Sequence, residues 1–169
     1  ERAISRDLTL HALMLSQSGI PVIYSGDEVG QLNDWSYRDD KEKHEDSRYL
    51  HRGDFLWEEA QLRDDSTTRQ GRLFAGLRRL EQLRAQEACF DIAAEVWTED
   101  SGSAHVLALC RRFGGQEIVC LFNFSPDFVT AGVKREGSYT ELMYETSYDQ
   151  IEHVQLWPFG FAWLRRDKA

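Results

Sequence analysis

The sequence predicts an α/β segment followed by an all-β domain, and a change in hydrophobic periodicity carries this prediction. In the N-terminal part, apolar residues recur with the spacing of a helix, and a short apolar run then ends at Gly26-Asp27-Glu28. From about Cys89 onward the apolar residues alternate, and Gly, Asp, Ser or Pro separates the runs. Such alternation is typical of antiparallel sheets. We therefore predict one domain over residues 1–88 and a second over residues 89–169.

The N-terminal domain begins with a predicted helix over residues 2–18 and a strand over residues 21–24. Apolar residues three and four positions apart form the buried stripe of the helix. Gly19 can take the left-handed conformation that closes a helix, and Pro21 is tolerated at the first position of a strand. The run Val22-Ile23-Tyr24 is too uniformly apolar for a strand with one wet face, so we expect it to be covered on both faces.

A long loop is predicted over residues 25–65, and a second helix, capped by Asp65 or Ser66, over residues 66–85. The loop holds nearly half of the acidic residues of the chain. Its aromatic residues are Trp35, Tyr37, Tyr49, Phe55 and Trp57. Sugars offer apolar C–H faces to rings and hydroxyl groups to carboxylates, so this mixture suits a carbohydrate site. Composition alone is equally consistent with a charged surface flap that its aromatic residues hold in place.

The dipeptide Gly114-Gly115 predicts a two-residue hairpin turn in the C-terminal domain. In that hairpin Cys120 faces Leu109, whereas Cys110 points to the other side of the sheet, so the two thiols cannot form a disulfide. Both faces of the hairpin are apolar, and we expect it to be central in the domain. Together with Cys89, the cysteines are too scattered for a disulfide framework or a metal site. We interpret them as reduced thiols of a cytoplasmic protein.

The charge of the chain restricts its partners. The formal net charge is −9 and the pI is about 5.0, which disfavours nucleic acid and anionic membranes because both would be repelled. No apolar run approaches the about 20 residues that span a bilayer. A neutral small molecule such as a sugar is compatible with this charge, and no cofactor or metal is expected. The chain begins without a methionine, and we expect it to be part of a longer protein.

Two stretches carry a resemblance to a known family. Gly-Ile-Pro-Val-Ile-Tyr-Ser-Gly-Asp-Glu-Val-Gly, at residues 19–30, resembles the eighth barrel strand of the α-amylase superfamily of glycoside hydrolases. Leu32-Asn33-Asp34 and Asp46-Ser47-Arg48-Tyr49-Leu50-His51-Arg52 resemble the amylosucrase and sucrose hydrolase branch. The resemblance implies that residues 1–88 are the last βα units of a (β/α)8 barrel and that residues 89–169 form an antiparallel β-sandwich. Such a fragment needs its own upstream barrel as a partner, because it cannot close alone.

The resemblance also implies where substrate binds. In the amylosucrase branch the arginine that matches Arg48 pairs with an upstream aspartate at the bottom of the pocket. A guanidinium suits this position because it stays charged and forms two parallel hydrogen bonds with a carboxylate. Asp46 is predicted to orient Arg48, and Asp34 is the third predicted substrate-binding residue. The implied substrates of the full-length enzyme are sucrose and α-glucan.

The implied chemistry is a retaining mechanism that uses two carboxylates. In the family these carboxylates, and a third stabilising aspartate, follow strands four, five and seven, all of which precede Glu1. We therefore expect no catalytic residue in this chain. Asp27 and Glu28 are predicted to hold the loop rather than to take part in catalysis.

A non-catalytic carbohydrate-binding or scaffold domain is the alternative. Trp157 and Trp163 lie in the last apolar segment, residues 157–164, and could form a platform for sugar rings. Tryptophans at strand spacing are more often core residues, so the exposure of these two side chains discriminates between the two hypotheses.

Overall fold

The computed structural model describes residues 1–167, which divide into two compact units. The core unit comprises Glu1–Pro21 and the chain from Gly76 onward. The loop unit comprises Val22–Ala75. Within the described residues, no helix combines the length and the apolar character needed to cross a membrane.

Residues 1–167 contain three α-helices, at Arg2–Ser16 (α1), Trp57–Ala60 (α2) and Arg69–Gln86 (α3). In α1 the buried side chains include Ala12 and Leu15, which lie on the stripe that the sequence indicates. Gly76 permits a close approach of α3 to α1, because a Cβ atom at this position would lie 2.7 Å from the Leu8 side chain. The helices of the core unit therefore pack tightly at a residue without a side chain.

The described part of the core unit contains eight strands in two antiparallel sheets. The strands are Glu95–Glu99 (β1), Val106–Phe113 (β2), Gln116–Asn123 (β3), Val129–Ala131 (β4), Tyr139–Glu141 (β5), Thr146–Tyr148 (β6), Val154–Leu156 (β7) and Phe161–Arg166 (β8). The larger sheet has the order β1-β2-β3-β8-β5-β6, and β4 pairs with β7 in the smaller one. The antiparallel character predicted from the alternation is confirmed.

The central hairpin has the predicted register. Leu109 pairs with Cys120 and Cys110 pairs with Val119. Gly114 and Gly115 form the turn at φ 57° and 81°, backbone angles that favour glycine and that match the twist of a hairpin. Among the described residues all three cysteines are free and buried.

The two faces of the central hairpin are both buried, as predicted. One face packs with the smaller sheet in an apolar cluster. Its members are Val106, Ala108, Cys110, Val119, Leu121, Ala131, Val133, Tyr139, Ile151, Val154, Leu156, Ala162 and Leu164. The other face carries Ile118 and Phe122, and α1 packs against β3. Trp163 is fully buried and its ring lies 4.6 Å from that of Phe90.

A buried arginine interrupts the apolar face of β2. Arg111 has no exposed surface, and its guanidinium donates to the carbonyl oxygens of Cys89 at 2.6 Å, Ser16 at 2.7 Å and Asp91 at 2.8 Å. Arg84 donates to the carbonyl of Leu15 in the same region. The last carbonyls of a helix have no partner inside it and carry partial negative charge. The two arginines therefore bind the C-terminal end of α1.

The loop unit differs from the prediction in one element. Residues 20–24 lie outside any helix or strand, and Val22 is 74% exposed. The predicted covered strand at 21–24 is thus not formed within residues 1–167, because a strand needs a neighbour and the described chain pairs none with it. The loop predicted over 25–65 contains α2 and short 3-10 helices at Asp27–Val29, Ser36–Asp39, Ser47–His51 and Gln61–Asp64.

Candidate functional site

The two loop stretches that resemble the amylosucrase branch lie against each other in the loop unit. The Asp34 N–H donates to the Leu50 carbonyl at 2.9 Å, and His51 Nδ1 lies 3.1 Å from Asn33 Oδ1. Gly53 permits this approach, because a Cβ atom at that position would come within 2.9 Å of the Asp34 Cβ. Stretches that are more than ten residues apart in sequence thus form one surface.

Asp46 and Arg48 form an ion pair with two parallel hydrogen bonds. Arg48 Nε donates to Asp46 Oδ1 at 2.8 Å, and Nη2 donates to Oδ2 at 2.6 Å. The Arg48 N–H also donates to Oδ1 at 3.0 Å, so Asp46 caps the 3-10 helix Ser47–His51. The Arg48 side chain remains 70% exposed. Within the described chain, no protein group accepts a hydrogen bond from Nη1, so the donors of this nitrogen are open.

Asp34 lies in a separate small cleft. Its Oδ1 accepts hydrogen bonds from the Ser36 N–H at 2.9 Å and from Ser36 Oγ at 2.6 Å. The cleft has a volume of about 70 Å³ and is also lined by Lys43, Tyr49 and Arg52. Ligand pockets generally begin near about 300 Å³, so this cleft could accept a hydroxyl group but not a sugar ring. Among residues 1–167 no hydrogen bond or ion pair joins Asp34 to Asp46 or Arg48.

The local electrostatics favour binding over proton transfer. The hydrogen bond from the Arg48 side chain lowers the pKa of Asp46 to about 2, and the Ser36 hydroxyl lowers the pKa of Asp34. The same ion pair raises the pKa of Arg48. A general acid needs a pKa near the working pH, which for a carboxyl means a raised value. Both aspartates therefore stay ionised at neutral pH and serve as hydrogen-bond acceptors.

The acids that follow residues 21–24 have a local role in the structure. Glu28 Oε2 accepts a hydrogen bond from the Gly26 N–H at 2.8 Å, and Gly26 is in the left-handed conformation at φ 101°. Glu28 therefore holds the turn, and Asp27 lies exposed beside it. Across residues 1–167, no group of three or more His, Cys, Asp or Glu side chains is placed to hold a metal ion.

Sequence reasoning did not select Lys43 and Arg52, the two cations that line the Asp34 cleft. Lys43 lies 5.6 Å from the centre of the Tyr49 ring and 3.5 Å from Asp40 Oδ2. Arg52 ends the stretch Asp46–Arg52 that resembles the amylosucrase branch, but only the folded loop brings it to the same cleft as Asp34. The sequence signal that could have identified this cleft is the cluster of acidic and basic residues between the aromatic residues of the loop.

The two tryptophans of the alternative hypothesis have opposite environments. Trp163 has no exposed surface and belongs to the core, whereas Trp157 is 70% exposed. The platform that the alternative requires is thus reduced to one tryptophan.

No protein-family model matches the chain. Solved structures match nearly all of it. AmyP in complex with maltotriose aligns with a TM-score of 0.78 and 15% identity, over 98% of this chain and 35% of that chain. The cyclic α-maltosyl-(1→6)-maltose hydrolase of Arthrobacter globiformis aligns with a TM-score of 0.65 and 23% identity, over 97% and 31%. MutB, the trehalulose synthase of Pseudomonas mesoacidophila MX-45, aligns in its sucrose complex with a TM-score of 0.67 and 16% identity, over 95% and 38%.

These neighbours are enzymes of the α-amylase family, and this chain shares the fold of their C-terminal region. It spans about a third of the length of the chains that it matches. At this level of identity the match concerns the fold alone. The described residues of this chain contain no barrel.

Proposed function

We propose that the chain is the C-terminal part of a retaining α-glucosyl-transferring or sucrose-hydrolysing enzyme of the amylosucrase branch. The observation that carries the proposal is the fold match over nearly the whole chain to enzymes whose structures contain maltotriose or sucrose. In this proposal residues 1–88 belong to the catalytic barrel and residues 89–169 form the β domain. The catalytic carboxylates lie upstream, and the enzyme works in the cytoplasm, which agrees with three free cysteines.

The exposed segment before the loop supports an upstream partner. Ile20 is 89% exposed, Val22 74% and Tyr24 55%. Contiguous apolar side chains at such exposure are typical of a surface that another segment covers. A barrel supplied by the same polypeptide would provide strands on both sides of this segment.

Arg48 is the residue that we assign to the substrate pocket, with Asp46 as its positioning residue. Asp46 occupies the Nε–Nη2 edge, and the Nη1 edge is open to a second acceptor. An upstream carboxylate and a sugar hydroxyl are the acceptors that the family resemblance implies. The ionised Asp34 would accept a hydrogen bond from a second hydroxyl in its cleft.

The first test is the reading frame upstream of Glu1. An open frame that encodes seven further βα units, with Asp, Glu and Asp after strands four, five and seven, is the expected result. A stop codon shortly before residue 1, with a start codon at that point, would refute the assignment to a barrel.

The second test is sucrose turnover by the full-length enzyme. Arg48→Ala should lower kcat/KM for sucrose by about 10² to 10³, the loss typical of a preorganised electrostatic contact. Asp46→Asn should lower it less, because Arg48 keeps its charge and loses only its orientation. Arg63→Ala removes another half-exposed arginine of the loop unit and is the control, with turnover within about twofold of wild type. Equal turnover by the Arg48→Ala and Arg63→Ala variants would remove Arg48 from the site.

A further inference from the structure

A hollow in the core unit lies between α1 and the turn before β8, and exposed aromatic rings stand beside it. It has a volume of about 440 Å³, and its lining consists of Glu1, Arg2, Ser5, Leu8, Thr9, Tyr144 and the segment Trp157–Phe161. This volume lies within the range of ligand-binding pockets, about 300 to 1,000 Å³.

Three aromatic side chains stand at or beside this hollow with most of their surface in water. Tyr144 is 81% exposed, Trp157 70% and Phe128 52%. The rings of Phe128 and Trp157 lie 4.7 Å apart at an angle of 51°, so the two form one continuous apolar surface. Leaving rings of this size in water is unfavourable, and such exposure is typical of a binding surface.

Buried hydrogen bonds fix the backbone that carries these rings. Asn123 has no exposed surface, and its Nδ2 donates to the carbonyls of both Trp157 and Asp127 at 2.8 Å. One amide group therefore ties the backbone of Trp157 to the residue directly before Phe128. Fixing the backbone that carries the two rings lowers the conformational entropy that a ligand must remove on binding.

The turn after Trp157 is held as firmly. Phe159 has a φ of 49°, a conformation that costs energy for a residue with a side chain. Its N–H donates to the Ser125 carbonyl at 3.0 Å, and its carbonyl accepts from Thr9 Oγ1 at 2.6 Å. Strain that the surrounding bonds maintain at an exposed aromatic turn favours a role in recognition over one in packing.

The groups around the hollow select a neutral, hydroxyl-rich ligand. Aromatic faces match the C–H faces of a sugar ring, and the Ser5 and Tyr144 hydroxyls and the Arg2 guanidinium can bond to its hydroxyls. The protein has a net charge of −9 and would repel a polyanion, so an acidic ligand is disfavoured. A concave site of this volume also suits a chain of sugar units better than a flat protein surface.

We propose that Trp157 and Phe128 form a glucan-holding site in the β domain, distinct in its residues from the Arg48 site. The site binds and holds a neutral glucan chain and makes no bonds to a reacting atom. It does not depend on the assignment of sucrose as the substrate, because it rests on the rings and their supports in the core unit.

The test is binding to soluble starch by the protein in its full natural length, measured as retardation in native gels that contain the polymer. Trp157→Ala should raise the apparent dissociation constant at least tenfold, and Phe128→Ala should raise it severalfold. Trp157→Phe keeps a ring and should stay within about threefold of wild type. The control is Phe113→Ala, which removes a 37% exposed ring at the hairpin end of β2 and should leave the constant unchanged.

Thermal melting checks that the variants fold, and because Trp157 is mostly exposed its replacement should leave the melting temperature nearly unchanged. Absence of retardation for the wild-type protein would overturn the proposal, as would equal retardation of the Trp157→Ala and Phe113→Ala variants. If a protein partner, rather than a glucan, covers Trp157 and Phe128, the wild-type protein will show no retardation. The assay involves no turnover, so failure of the sucrose assignment leaves its outcome unaffected.

Discussion

Replacing Arg111 by methionine should cost the protein a large part of its stability. The guanidinium makes three hydrogen bonds of 2.6 to 2.8 Å, and all three acceptors are backbone carbonyls. Hydrogen bonds to a charged group contribute about 1.5 to 3 kcal/mol each, which gives about 5 to 9 kcal/mol for the three. Methionine fills similar space and relieves the cost of burying a charge, about several kcal/mol. The net loss in the free energy of unfolding should be about 3 to 5 kcal/mol.

The same change should appear as a shift in melting temperature. For a chain of about this size, 1 kcal/mol corresponds to about 2 to 4 °C, so Arg111→Met should melt about 10 °C below wild type. Urea titration gives the free energy, and calorimetry gives the melting temperature. Arg111→Lys keeps the charge but gathers its donors on one nitrogen, so it can satisfy fewer carbonyls and should lose about half as much.

The neighbouring residue provides the control. The Arg112 side chain is 51% exposed and forms ion pairs with the exposed Glu95 and with Glu117, whose side chain is 12% exposed. Water already solvates this guanidinium, so the two pairs stabilise the protein little. Arg112→Met should therefore be a mild variant. If Arg111→Met loses no more free energy than Arg112→Met, the carbonyls of Ser16, Cys89 and Asp91 do not depend on the guanidinium and the reasoning is wrong.

Two further predictions concern the loop unit. In an NMR titration the Asp46 carboxyl should have a pKa of about 2 and should return toward 3.8 in the Arg48→Ala variant. Because the Asp46 pKa is lower in the folded state, the contribution of this carboxyl to stability is present above pH 3.8 and is lost as the pH falls through about 2. The same Asp46 titration midpoint in wild type and in the Arg48→Ala variant would contradict the ion pair. Gly71→Ala should lower the melting temperature, although this exchange in a helix normally stabilises by about 1 kcal/mol, because an added Cβ would overlap the Asp65 carbonyl. A higher melting temperature would show that the backbone at Asp65 moves aside.

Local rules were sufficient for the centre of the β domain. A Gly-Gly turn determines which residues face each other, and the alternation of apolar residues then determines the two faces. The register of Cys110 and Cys120 was predictable for this reason. The strand at Thr146–Tyr148 cannot be predicted in this way, because its three residues are polar or aromatic, its burial is slight, and only pairing with Tyr139–Glu141 defines it.

Features that depend on distant partners were not predictable in the same way. The apolar run at residues 22–24 has the composition of a covered strand, but composition does not supply the neighbours that a strand needs. Trp157 and Trp163 lie six residues apart on the same segment, and only the turn with Phe159 at positive φ separates their environments. In the site, the Asp46–Arg48 pair was predictable from a spacing of two residues. The cleft around Asp34 was not, because it joins residues across the loop.

Arg48 and Arg111 show why the chemistry of a residue type does not by itself identify a site. Both guanidinium groups are held by short hydrogen bonds, but Arg111 is fully buried and its Nε, Nη1 and Nη2 atoms all donate to backbone carbonyls. No donor edge remains for a ligand, so its role is structural. Arg48 is bound along one edge by Asp46 and remains mostly exposed along the other. An arginine that is oriented by a neighbour and still has open donors can bind a second acceptor without rearranging, which is the condition for a preorganised substrate contact.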